Sequence, residues 1–298
     1  MIKESVITMN NSNVTVFLEV FNEESRIESC LKSFSWADEL IVFDKNSTDN
    51  TRKIAEKYAT EVVTVPFTQA SENVIENISG RPSCDWVLFP TASSLIHPNL
   101  VDEIIKLTTD SNFNFDVIGM PYGMYAFGIR NRKSPWTALR KNTLIRRSVL
   151  QLSTKLHNEI SYTSNKIYNM PFKQKDEVLY HCTHKDVADF FSRTIRYTNY
   201  EAEHTETLSR DKALKQAFAD ILRSVFTVLF RRHTYLLGWD GVALSLAYIC
   251  NFVMKFLFVW DTHRENGNMV YPILRKKIDY LWEERKLTEA KRVIKNKS

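Results

Sequence analysis

Glycine is scarce in this sequence: there are seven among 298 residues, and none before Gly80. Loops that wrap a phosphate in backbone amides need closely spaced glycines straight after the first strand, because glycine alone lets the chain turn so tightly against a ligand. A P-loop and a dinucleotide-binding fingerprint are therefore excluded. Cysteine is sparse too. Cys30, Cys84, Cys182 and Cys250 lie far apart with no C-x-x-C pair, which excludes a disulfide framework and suits a reducing compartment. The opening stretch MIKESVITMNNSNVTVF has no basic segment leading into an apolar run and no small-residue cleavage site, so a secretory signal is not expected and the cytoplasm is.

What is present is enough for a folded core, at 44% hydrophobic and 25% charged residues. The formal charge of +5 is carried by residues 271–298, which hold nine Lys/Arg against four Asp/Glu. The remainder is near neutral and has no nucleic-acid motif, so no nucleic-acid partner is expected. An anionic membrane surface is the better partner for the basic segment, each Lys or Arg near it contributing about 1 kcal/mol.

The order of elements reads as α/β. VTVFLEVF and ELIVFD are short β-branched runs, and SRIESCLKSF between them spaces apolar residues as a helix does. A helix over NTRKIAEKYA, strands at VVTVPF and DWVLF, a helix starting at Pro98 and a strand in DVIGMPYGMYAF follow. Strands alternating with helices imply a mostly parallel sheet. From about residue 186 the pattern turns helical, which divides the chain into a nucleotide-binding unit over 1–185 and a helical region over 186–298. The apolar stretch 241–260 is interrupted by Asn251 and Lys255 and flanked by Asp240; it reads as an interfacial or packed helix in preference to a spanning one.

Without glycine loops, a nucleotide site must be built from strand ends and carboxylates. Two segments supply them, EVFNEES (residues 19–25) and FDKNSTDNT (residues 43–51). With their flanks, VTVFLEVFNEESRIESCLKSF and ADELIVFDKNSTDNTRKIAEKY, they resemble the start of a GT-A inverting glycosyltransferase of family 2, in the branch that holds lipopolysaccharide-core glucosyltransferases. The likeness extends over about residues 14–200, and GWDGVALSLAYICNFVMKF is similar to the helical end of that branch. The resemblance implies a Rossmann-like GT-A fold with flanking helices plus a helical C-terminal region. It also implies a nucleotide pocket in which Asp44 accepts a hydrogen bond from the base, Glu23 lies at the ribose hydroxyls, and Glu19 and Phe21 line the base. The plainer reading of Asp44, Asn46, Ser47 and Asp49 is a capped turn.

The family's fourth strand ends in D-x-D, which holds a divalent cation against the donor diphosphate. Here DWVLF runs into Pro90, Thr91, Ala92, Ser93 and Ser94. All the carboxylates are missing. Hydroxyls are poor ligands for Mg²⁺ or Mn²⁺, so Thr91 and Ser93 mark a degenerate D-x-D, and no metal cofactor is expected there. Cationic side chains must then neutralise the diphosphate. RNRKSPWTALRKNTLIRR (130–147) carries seven Lys/Arg and no acid, and Arg140 is the preferred phosphate ligand, with Lys155 in reserve. KLHNEISY resembles the family's H-N-E element, so Glu159 or His157 is the expected catalytic base. In YHCTHKD, His181 and His184 have no second cluster of zinc spacing; by resemblance His181 contacts phosphate or orients its loop. The expected activity is inverting, hexosyl-type transfer from a UDP-sugar to a cell-surface glycan or lipid-linked acceptor, at the inner face of the cell membrane. The rival from another class is an inactive relative that binds the nucleotide sugar as a scaffold.

Overall fold

The computed structural model describes residues 11–68, 77–78, 80–152, 160–203, 209–264 and 270–295. Val14–Val20 (β1) and Glu39–Asp44 (β2) run parallel, with Glu19 opposite Phe43 and Val20 opposite Asp44. Every residue of β1 except Glu19 is buried, as befits a parallel strand covered on both faces. Between them Ile27–Ser33 (α1) buries Ile27, Cys30 and Leu31, followed by Phe34, and this three-four spacing lays one apolar stripe on the sheet. Thr51–Ala55 (α2) is shorter than NTRKIAEKYA suggests, since the chain turns at Glu56 to enter Glu61–Thr64 (β3), parallel to β2. Trp86–Leu88 (β4) closes the parallel half beside β1.

The other half is mixed. Ser94–Ile96 (β5) is followed by Pro98–Thr109 (α3), which starts at the proline as expected, with the His97 side chain accepting from Asn99 N–H (3.2 Å). Val117–Ala126 (β6) lies between Arg140–Arg146 (β7), antiparallel to it, and Leu179–Thr183 (β11), parallel to it. Across the described sheet the order is β3-β2-β1-β4-β7-β6-β11-β5, with Ile167–Asn169 (β10) also on β6. Leu150–Leu152 (β8) and Ile160–Tyr162 (β9) pair separately. The sheet is thus less parallel than the strand-helix alternation suggested, because β7 inserts antiparallel between β4 and β6. The polar start of β7, Arg140-Lys141-Asn142, hides it from a search for apolar runs.

Four long helices follow: Val187–Glu203 (α4), Arg210–Phe226 (α5), Gly238–Thr262 (α6) and Val270–Lys295 (α7). The polar interruptions of α6 have a structural use. Lys255 pairs with Glu201 of α4 (2.8 Å) and Asn251 accepts from Thr194 (3.5 Å), so they fix α6 on α4. Gly241 is required where α6 meets the preceding turn, since a Cβ there would lie 1.9 Å from the Thr234 carbonyl oxygen. By length and composition Thr234–Thr262 is apolar enough to cross a membrane. Its outer face, with Trp239 at 87% and Leu246 at 64% exposure, has no cover within the described residues.

Candidate active site

A cavity of about 470 Å³ opens where β1, β2 and β4 end, the place at which open α/β sheets bind ligands. Asn22 and Asn46 turn the chain after β1 and β2 with φ of 53° and 59°, a left-handed conformation that asparagine tolerates better than most residues. The two loops so formed are laced together. Asn22 N–H donates to Ser47 Oγ (3.0 Å), Thr48 N–H to Asn22 Oδ1 (2.8 Å), Glu23 N–H to Thr51 Oγ1 (2.7 Å) and Glu24 N–H to Asp49 Oδ2 (3.1 Å). The N-E-E and D-x-x-S-T-D-x-T segments therefore fold as one unit.

Glu19, Phe21 and Glu23 all line the cavity. Phe21 packs on Phe67 with ring centroids 4.4 Å apart, and Phe17, Phe43 and Phe89 stack behind them, giving an apolar wall suited to a flat base. Asp44 is placed differently. It is 1% exposed and accepts from Ser47 N–H (3.1 Å), the capped-turn arrangement, while its neighbours Phe43 and Lys45 face the cavity. Lys45 pairs with Glu19 and donates to Thr68 O (2.9 Å).

Thr91 and Ser93, the residues expected at the family's D-x-D position, lie at the cavity floor, where Thr91 bridges Glu19 of β1. Thr91 Oγ1 lies 3.0 Å from Ser93 Oγ, 3.1 Å from Ser94 Oγ and 2.9 Å from His181 Nδ1, and Ser93 Oγ is 3.2 Å from that same nitrogen. The His181 pKa is pushed down to about 4 by burial and then by Lys141, Arg26, Arg193 and His184, so its ring is neutral at pH 7. Three hydroxyls and one imidazole do not fit Mg²⁺ or Mn²⁺, which take carboxylate and carbonyl oxygens. Among the described residues no three His, Cys, Asp or Glu side chains cluster in a way that could hold an ion.

Cations surround this hydroxyl group instead. Arg26, Lys45, Lys141, Arg193 and Arg196 line the cavity, against Glu19 and Glu23 as its lining carboxylates. Arg26 and Arg193 both reach Glu23, Arg26 through Nε and through Nη2 (2.8 Å for Nη2) and Arg193 at 3.4 Å; Arg193 also pairs with Asp189 (2.8 Å). Lys141 has no carboxylate partner among the described residues. Its ammonium lies 5.6 Å over the Tyr122 ring, and the protein packed about it lowers its pKa although the cavity keeps it open to solvent.

The structure corrects the choice of Arg140. Its guanidinium donates to Gly119 O (2.8 Å) and Met170 O (2.6 Å) and stacks over Phe172, tying strands together outside the cavity. Successive strand residues face opposite sides, so its neighbour Lys141 points in. Most of the basic segment is structural in the same way: Arg130 pairs with Asp176, Arg146 with the Phe113 and Phe115 carbonyls, and Arg147 with Pro82 O. Lys155, His157 and Glu159 lie outside the described residues. Arg193, Arg196 and His184 were not singled out as site residues; the three-residue step between the two arginines puts them on one helix face after YHCTH, but that step does not tell where the helix lies.

Residues 15–171 match the glycosyl transferase family 2 profile. The chain belongs to that family. The mixed sheet with flanking helices is accordingly GT-A-like. Two similar proteins are uncharacterized glycosyltransferases: one of Rickettsia bellii, 23% identical over 79% of this chain and 82% of its own, and one of Rickettsia conorii, 22% identical over 88% and 96%. Among solved structures, glucosyl-3-phosphoglycerate synthase of Mycobacterium tuberculosis, crystallised with Mn²⁺, UDP and glucosyl-3-phosphoglycerate, is 28% identical over 38% of this chain, with a TM-score of 0.30. The match spans 44% of that enzyme, under half its length.

Proposed function

We propose that this family 2 member transfers a hexosyl group, with inversion, from a UDP-sugar to a cell-surface glycan or lipid-linked acceptor, and does so without a divalent cation. The observation that carries the reading is the composition of the cavity: hydroxyls where an ion would need carboxylates, with the cationic side chains of Arg26, Lys45, Lys141 and Arg193 lining the same space. The acceptor hydroxyl attacks the anomeric carbon, the bond from that carbon to the diphosphate oxygen breaks with its electron pair leaving on the diphosphate, and the hydroxyl proton passes to a base. By family resemblance that base is Glu159, with His157 as the alternative. Lys141 and the hydroxyl group at Thr91 and Ser93 face the charge that develops on the leaving diphosphate, where fixed cations and dipoles lower the barrier most.

Residues 1–185 form the donor-binding unit in this reading, although α4 of the helical region contributes Arg193 to it, and Arg196 lines another part of the same cavity. The remaining helices serve a cytoplasmic membrane face. Phe218, Leu222 and Phe226 on α5 and Phe230 in the turn that follows it are 53–63% exposed, Trp239 stands out on α6, and the basic segment adds attraction to anionic lipid. A panel of labelled UDP-sugars incubated in EDTA tests the reading. Turnover of one donor is the expected result, whereas tight UDP binding with no turnover across the panel favours the scaffold.

A further inference from the structure

Two polar atoms near the cavity lie buried with no hydrogen-bond partner among the described residues: Nδ1 of His184 and Nε of Arg196. Leaving such atoms unsatisfied is costly, so their coincidence in one cavity points to a ligand. The backbone agrees. His184 has a φ of 46°, a left-handed conformation that is unfavourable for a non-glycine residue and tends to persist at functional sites. Its ring is wedged among Phe127, Trp136 and Phe190, with centroids 5.1–5.7 Å away, which fixes its orientation. Burial lowers its pKa, so at neutral pH it presents one neutral N–H.

The charge balance separates this pair from its neighbours. Arg193 is committed to Asp189 and Glu23, and Arg26 to Glu23. Arg196 has no carboxylate partner among the described residues; its guanidinium rests over the Tyr197 ring at 5.5 Å. An arginine fork with an unsatisfied nitrogen fits a phosphate. The pair is also set apart from the hydroxyl floor by its contacts: His181 is the histidine that reaches Thr91 and Ser93, whereas His184 comes three residues later, past the end of β11, and packs among aromatic rings.

We infer that Arg196 and His184 form a second anion subsite, distinct from the place of the donor diphosphate, which holds a phosphate monoester borne by the acceptor sugar. The inference rests on the donor reading above and names the acceptor's chemistry: a phosphorylated sugar, with its phosphate on the α4 side of the cavity.

Calorimetry on the full chain tests it, titrating the UDP-saturated protein with glucose 6-phosphate and, in parallel, with inorganic phosphate. Glucose 6-phosphate should bind without displacing UDP and at least threefold more tightly than inorganic phosphate. Arg196→Gln should weaken it tenfold or more while changing UDP affinity less than twofold. His184→Asn, which keeps a residue tolerant of the left-handed backbone, should weaken it threefold or more. Competition with UDP would assign the pair to the donor site and overturn the inference. So would equal affinity for inorganic phosphate, or no binding at all to the UDP-loaded protein. UDP that fails to bind the wild type would instead sink the donor reading, and the acceptor assignment with it.

Discussion

Replacing Lys141 by methionine is expected to lower UDP-sugar turnover on the order of 10²-fold, the scale seen when one group aimed at developing charge is removed. The reason is local. Lys141 is the cavity cation from β7, it faces the hydroxyl floor, and no carboxylate among the described residues neutralises it. Arg26 and Arg193 already share Glu23, so they offset less of a diphosphate's charge. UDP affinity should fall about tenfold, the worth of roughly one charge-assisted hydrogen bond. Because methionine is an unbranched side chain of similar reach beside Tyr122, the variant's melting temperature should stay near that of the wild type. Steady-state kinetics with Arg140→Met beside it makes the comparison specific. Arg140 grips two backbone carbonyls, so losing it should cost stability rather than turnover of the folded enzyme. Equal loss of turnover in both folded variants would contradict the placement of the diphosphate.

The second large effect is expected from putting carboxylates back. The double variant Thr91→Asp, Ser93→Asp places two negative charges within reach of His181, and together they make a three-donor set of the kind an ion accepts. In EDTA those charges repel the diphosphate. At roughly 5 Å and an effective dielectric near 20, each repulsion is worth about 3 kcal/mol. Turnover in chelator should therefore drop by about 10² or more, and Mn²⁺ should restore most of it. The wild type should be indifferent to both additions. Full activity of the double variant in EDTA would mean the diphosphate does not sit at this floor.

How much of this was legible beforehand differs from one side of the cavity to the other. The parallel half of the sheet could be read because β1, β2 and β4 are buried on both faces and so appear as unbroken β-branched and aromatic runs. The same is true of Pro98 as a helix start and of α1, whose apolar spacing is plain. The antiparallel strand β7 was hidden, since its first three residues are polar and only Thr143, Leu144 and Ile145 are buried. Weighing the segment's charges by residue type, without placing them on a strand, left Arg140 preferred for its guanidinium fork. Read as a strand, it would have split the charges by side and offered Lys141.

The motif residues teach a related lesson. Asp44, Ser47, Asp49 and Glu24 carry the family signature, yet their side chains bond to loop backbone; what they do is hold the two loops so that Glu19, Phe21 and Glu23 meet the cavity. Arg193 and Arg196 were out of reach for another reason. A helix beginning near residue 187 gives no sign in its own sequence that its second and third turns will lean over the ends of β1 and β4, for that depends on how β11 places it.

The central claim, that side chains do the neutralising work of an ion at this diphosphate site, is tested most directly by calorimetry of UDP binding to the wild-type protein in EDTA and in saturating Mn²⁺. The two affinities should agree within about twofold, on the scale of RT, with no manganese taken up alongside the nucleotide. Binding that requires manganese, or that tightens tenfold or more with one ion captured per UDP, would contradict it.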